Sequence, residues 1–74
     1  MSNQLEDFYI KLGQKIKILR KLQNLTQESL ADKAGISLNY LGKIEIAMNK
    51  PRLQTIFKLA EVLGVDPFEL LNFD

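Results

Sequence analysis

Between Thr26 and Glu45 the chain reads TQESLADKAGISLNYLGKIE, a stretch that Gly35 divides into two short helical patterns. Thr26 is a good helix cap, and Leu25 and Leu30 flank it as a hydrophobic staple, so one helix should begin at Gln27. Leu30, Ala31 and Ala34 recur at helical spacing on one face, and Ala31 is small enough to let another helix approach closely. Gly35 stands where the chain must leave that helix with positive φ, a conformation glycine adopts without a steric penalty. Ile36 can tuck back into the core. Ser37 caps a second helix whose buried stripe is Leu41 and Ile44. Leu38, Asn39, Gly42 and Lys43 are left on its opposite, exposed face.

The flanking segments supply further helices. Leu5, Phe8, Leu12, Ile16 and Leu19 step by three or four, which predicts one long amphipathic helix from about Leu5 to Gln23 after a loose start over Met1 to Gln4. Asn3 with Glu6 reads as its capping pair, and Asn24 as the residue that stops it in a left-handed conformation. Gly13 weakens this helix without breaking it, and Lys11, Lys15, Lys17 and Lys21 read mostly as a solvated face. Leu53, Ile56, Leu59, Ala60 and Leu63 mark a fourth helix that ends at Gly64. Asp66 caps a short fifth, with Pro67 at its first position, Glu69 completing a capping box, and Val65 and Leu70 as a second staple. Leu71, Asn72, Phe73 and Asp74 close it. With no internal repeat, linker or low-complexity tract, the expectation is one all-α, five-helix domain spanning residues 1–74.

Composition narrows what such a domain can do. There is no Cys and no His, so disulfides, thiol chemistry and the commonest metal ligand and general base are absent. No metal site and no cofactor are expected, and nothing is poised for acid–base or nucleophilic catalysis. No apolar run approaches the roughly 18 residues of a membrane span, and no signal-peptide pattern opens the chain, so the expected location is cytoplasmic. The net charge of +1 hides an asymmetry. All ten Lys and Arg lie between Lys11 and Lys58, opposed there only by Glu28, Asp32 and Glu45, a local balance of +7. Both flanks are purely acidic. A basic middle suits a polyanion, although solvated helix faces alone would account for the charge about as well.

Gln27, Leu30-Ala31, Ala34-Gly35-Ile36-Ser37, Leu41 and Ile44-Glu45 together resemble the Cro/repressor-type helix-turn-helix pattern. That family contains phage repressors, Cro proteins and small controller proteins of restriction-modification systems. The resemblance runs from about Leu12 to Leu71, with the helix-turn-helix proper at about 26–45. It implies a five-helix lambda-repressor-like DNA-binding domain whose second motif helix enters the major groove. By position in that motif, Ser37, Leu38, Asn39 and Lys43 face the bases, with Gln27 reaching an outer one. Asn39 suits adenine, Lys43 suits guanine, and Leu38 offers only an apolar surface for a thymine methyl. Phosphate contacts fall to Thr26, Tyr40, Asn49, Lys50 and Arg52, with a half-buried structural role an equal alternative for Tyr40. The resemblance also pairs Arg20 with Glu45, which would tie the first helix to the recognition helix and leave one guanidinium edge near the phosphate backbone.

At the start of the following loop the family has a polar residue and then Gly, where this chain has Ile46 and Ala47. That departure leaves the loop conformation open, and Ile46 and Met48 either pack inward or widen a contact surface. The resulting functional expectation is a sequence-specific transcriptional regulator that binds an inverted-repeat operator on double-stranded DNA as a homodimer. Phe68, Leu71 and Phe73 are the expected two-fold contact, extended by Ile46, with filling of the monomer core as the alternative for Phe68 and Leu71. A protein-interaction module of the same fold, antitoxin-like or bound by an antagonist, is the rival reading.

Overall fold

The computed structural model describes residues 3–73, so the expectations for Met1, Ser2 and Asp74 lie outside the described residues. The described residues form five α-helices: α1 over Gln4–Leu22, α2 over Gln27–Ala34, α3 over Leu38–Glu45, α4 over Leu53–Leu63 and α5 over Pro67–Leu70. Local chemistry sets most of these boundaries. Asn3 accepts from the amides of Leu5 and Glu6 at 3.0 and 3.2 Å, Thr26 Oγ1 from Ser29 at 3.0 Å, and Ser37 Oγ from Tyr40 at 3.0 Å. Asp66 Oδ1 accepts from Phe68 at 2.8 Å and starts α5 behind Pro67. Each cap satisfies amides that the helix itself leaves without acceptors.

The exits share one geometry. The amides of Leu25, Ile36, Met48 and Val65 each reach back five residues, to the carbonyls of Arg20, Ala31, Lys43 and Ala60. The residue before each is left-handed: Asn24 at φ 58°, Gly35 at 71°, Ala47 at 61° and Gly64 at 71°. This is the Schellman ending, in which the residue after the left-handed one swings an apolar side chain back onto the helix. Leu25, Ile36 and Val65 do so and pack against the core. Met48 does not, and stays 72% exposed.

The core is one cluster that draws on all five helices: Leu12 and Ile16 of α1, Leu30 and Ala31 of α2, Leu41 and Ile44 of α3, Ile56, Leu59, Ala60 and Leu63 of α4, and Leu70 of α5. α1 lies against α3, α4 and α5, while α2 lies against α3 and α4. Gly13 permits the α1–α3 crossing. A β-carbon there would stand 2.5 Å from the Ile44 carbonyl oxygen and 2.7 Å from that of Glu45.

Two expectations are corrected, and the loop conformation left open by the sequence is resolved. Leu5 and Leu53 fall on the apolar periods of their helices, yet both are exposed, and each stands in the first turn of its helix. Glu69 sends its carboxylate to Lys15 at 3.5 Å across the α1–α5 contact, and Lys15 also donates to the Asn72 carbonyl at 3.0 Å, so this lysine is not simply solvated. The loop after α3 keeps its left-handed turn although Ala47, not Gly, occupies it. No helix of the described residues is long and apolar enough to cross a membrane.

Candidate nucleic-acid interface

α3 is locked from behind. Leu41 and Ile44 are buried in the core, and Glu45, also buried, is gripped from two sides. Arg20 Nε donates to Glu45 Oε2 at 2.7 Å and its second terminal nitrogen donates to Oε1 at 3.1 Å. Its remaining terminal nitrogen donates to the Leu25 carbonyl at 2.8 Å. Three of the five guanidinium N–H groups are thus used within the protein, and with Arg20 only 7% exposed little of its edge reaches solvent. Gln27 Nε2 adds a third donor to Glu45, at 3.0 Å from Oε1. One carboxylate thus ties α1, the start of α2 and the end of α3 together. Charge-assisted bonds of this kind are shorter and stronger than neutral ones, and planar Arg suits a two-pronged contact.

With its back fixed, α3 has one orientation. Leu38, Asn39 and Lys43 are exposed on the opposite face, and Gly42 lies between them. Eight residues at 1.5 Å each make this helix about 12 Å long, comparable with the width of the DNA major groove. Ser37 sits at its N-terminus with its hydroxyl accepting from the Tyr40 amide, which leaves the hydroxyl proton free to donate outward. Tyr40 is half-buried and packs against the core. Thr26 is exposed as the cap of α2, but Gln27 is drawn inward by Glu45, which limits the reach of its carboxamide toward an outer base.

The segment after α3 brings further groups to its end. Lys50 is exposed, with its ammonium 5.9 Å from the centre of the Tyr9 ring, and Arg52 is exposed as the N-cap residue of α4. Asn49 is half-buried. Ile46, by contrast, points outward and is 63% exposed. The anchoring role of Gly13 beneath α3 carried no signal in the sequence pattern, because it depends on which helix crosses there.

The expected dimer residues are divided. Phe68 is 79% exposed. Leu71 and Phe73 are half-buried against their own chain, and Phe73 meets the Phe8 ring edge-on with centroids 5.5 Å apart. Leu53 and Phe57, one turn apart on α4, form a separate exposed apolar patch.

Known proteins share this fold. The chain is 44% identical over 54 residues to the immunity repressor protein of Bacillus phage phi105, an overlap of 73% of this chain but 38% of that protein. The crystal structure of the restriction-modification controller protein C.AhdI from Aeromonas hydrophila superposes with a TM-score of 0.82 at 37% identity, covering 84% of this chain and 94% of that one. The biofilm master regulator SinR in complex with DNA superposes with a TM-score of 0.78 at 37% identity, covering 82% of this chain and 98% of that one. Residues 16–70 match the helix-turn-helix family HTH_3. With its buried anchor and outward-facing second motif helix, this chain belongs to that family of DNA-binding transcriptional regulators, which are not enzymes.

Proposed function

We propose that the chain regulates transcription by binding an inverted-repeat operator as a homodimer, with α3 of each copy in the major groove. The observation that supports this reading is the pairing of a rigidly held rear face, Leu41, Ile44 and Glu45, with an outer face of Leu38, Asn39 and Lys43. In this reading Asn39 bonds adenine N6 and N7, Lys43 bonds guanine N7 and O6, Leu38 covers a thymine methyl, and Ser37 donates at the near end of the helix. Gln27 serves mainly to hold Glu45. Thr26, Asn49, Lys50, Arg52 and the hydroxyl of Tyr40 take the phosphates on either side and set the docking register. Occupancy of the site is the regulatory event.

One helix of this length reads only a few base pairs, and a two-fold copy doubles the readout. Phe68 is the centre of the proposed two-fold contact, since its ring finds little cover within its own chain. Leu71 beside it contributes an edge, and Phe73 supports α1 from the same end. The test is selection of bound sequences from a random DNA pool, followed by titration of the winner at several salt concentrations. The expected result is an inverted repeat with half-sites about 10 bp apart and an affinity that falls steeply with salt. Enrichment of nothing would overturn it. Sedimentation at micromolar concentration should show a dimer that Phe68→Glu dissociates.

A further inference from the structure

Three of the four glycines have a reason inside the molecule. Gly35 and Gly64 are left-handed, and Gly13 lies under the α3 backbone. Gly42 has none. It sits half-buried in the middle of α3 with ordinary helical geometry, and a β-carbon there would clash with nothing, its nearest contact being an ordinary van der Waals approach to Gln27 Oε1 at 4.0 Å. Glycine in a helix interior is disfavoured relative to alanine, so the fold gains nothing from it.

What surrounds Gly42 says what it is shaped for. Leu38 lies one turn before it and Ile46 one turn after, on the same line along the helix. Both are large, apolar and outward, 47% and 63% exposed. Leu38 on α3 and Ile46 at its C-cap therefore form an apolar ridge with a notch at Gly42 between them. On the α2 side the notch is closed by the Gln27 carboxamide. Its nitrogen must face the Glu45 carboxylate, which only accepts, so its oxygen faces the notch.

We propose that this notch seats the C5-methyl group of a pyrimidine, thymine in ordinary DNA, and that Gly42 is a specificity-determining position. The inference rests on α3 being the groove helix. The C5-methyl is the one apolar group that base edges present in the major groove, and neither Leu38 nor Ile46 has a hydrogen bond to offer anything else. A missing methyl on the protein faces a protruding methyl on the base.

The test uses the full chain and the duplex it selects. Each thymine is replaced singly by deoxyuridine, which removes only the methyl, and binding is measured for the native protein and for Gly42→Ala. At one thymine per half-site the native protein should lose about three- to tenfold in affinity, on the scale of one buried methyl. Gly42→Ala should lose at least about tenfold on the thymine duplex, through overpacking of the notch, and recover on the deoxyuridine duplex, where the protein's methyl takes the vacated place. Its Tm should rise by about 3–8 °C, showing that the loss is not one of folding. If the selected half-site holds cytosine at this step, 5-methylcytosine in its place should strengthen native binding. Indifference of the native protein to every methyl, or undiminished binding of the thymine duplex by Gly42→Ala, overturns the notch alone. Failure of the native protein to select any sequence overturns the groove reading and the notch with it.

Discussion

Arg20 Nε lies 2.7 Å from Glu45 Oε2, and the two side chains keep 9% and 1% of their surface in contact with solvent. Two charges so deeply buried are each expensive to desolvate, and their attraction offsets that loss only while both are present. Leu25 accepts a further N–H from Arg20, and Gln27 donates a further bond to Glu45. Glu45→Ala should therefore destabilise the domain by about 3–5 kcal/mol, because it strands a buried guanidinium. Arg20→Met combined with Glu45→Leu should lose less than Glu45→Ala alone. Urea unfolding of the variants and their double-mutant cycle decides this, and simple additivity would show that the pair is not coupled.

Gly13 is the second anchor of α3, through backbone contact. Gly→Ala in a helix interior ordinarily stabilises by up to about 1 kcal/mol. Here the added carbon would meet the Ile44 and Glu45 carbonyl oxygens at 2.5 and 2.7 Å, and those atoms belong to a helix that cannot give without moving the Arg20–Glu45 pair. Gly13→Ala should thus destabilise by about 1–3 kcal/mol. Thermal melts of Gly13→Ala and Gly42→Ala should move in opposite directions, although both are the same chemical change in the middle of a helix.

That contrast shows where the sequence is legible and where it is not. Caps and stops are local chemistry, so Thr26, Ser37, Asp66, Asn24, Gly35 and Gly64 could be read directly, and helix boundaries follow within a residue or so. The rotation of α3 was legible too, because Leu41 and Ile44 leave only one face for Asn39 and Lys43. Crossings were not. A helical period marks an apolar stripe but not which of its residues a neighbour covers, and Leu5 and Leu53 are exposed. Nothing in the spacing says that Gly13 underlies Glu45, that Lys15 reaches Glu69 and Asn72, or that the Gln27 carboxamide turns inward. The Arg20–Glu45 pair was visible only through resemblance, since 25 residues separate its members.

Ala47 holds φ 61°, where the other exits use Asn24, Gly35 and Gly64. For an alanine this conformation costs roughly 1–2 kcal/mol, which the loop tolerates because the Met48 amide closes onto the Lys43 carbonyl at 2.8 Å. Ala47→Gly relieves the strain and gives back part of the gain through the greater freedom of glycine in the unfolded chain. The net expectation is stabilisation by about 0.5–1 kcal/mol, seen as a rise in Tm of about 2–8 °C. A lower Tm would mean that the alanine methyl packs favourably against the loop.

Lys43 and Lys50 carry the same charge but stand on different parts of the proposed interface. Lys43 projects from the outer face of α3, whereas Lys50 lies in the segment beyond it, over the Tyr9 ring. A lysine that reads guanine contributes to one base step, while one that neutralises a phosphate contributes to every sequence alike. Lys43→Ala should weaken binding to the selected operator by about 1–3 kcal/mol and relax the preference at a single base pair, with little effect on random DNA. Lys50→Ala should weaken operator and random DNA together and lower the salt slope by about 1, with a small drop in Tm from the lost contact to Tyr9. Binding isotherms on both duplexes at several salt concentrations separate the two roles. If Lys43→Ala reduced affinity for operator and random DNA equally, Lys43 would be a phosphate contact, and the base reading on α3 would fall to Asn39 and the apolar ridge around Gly42.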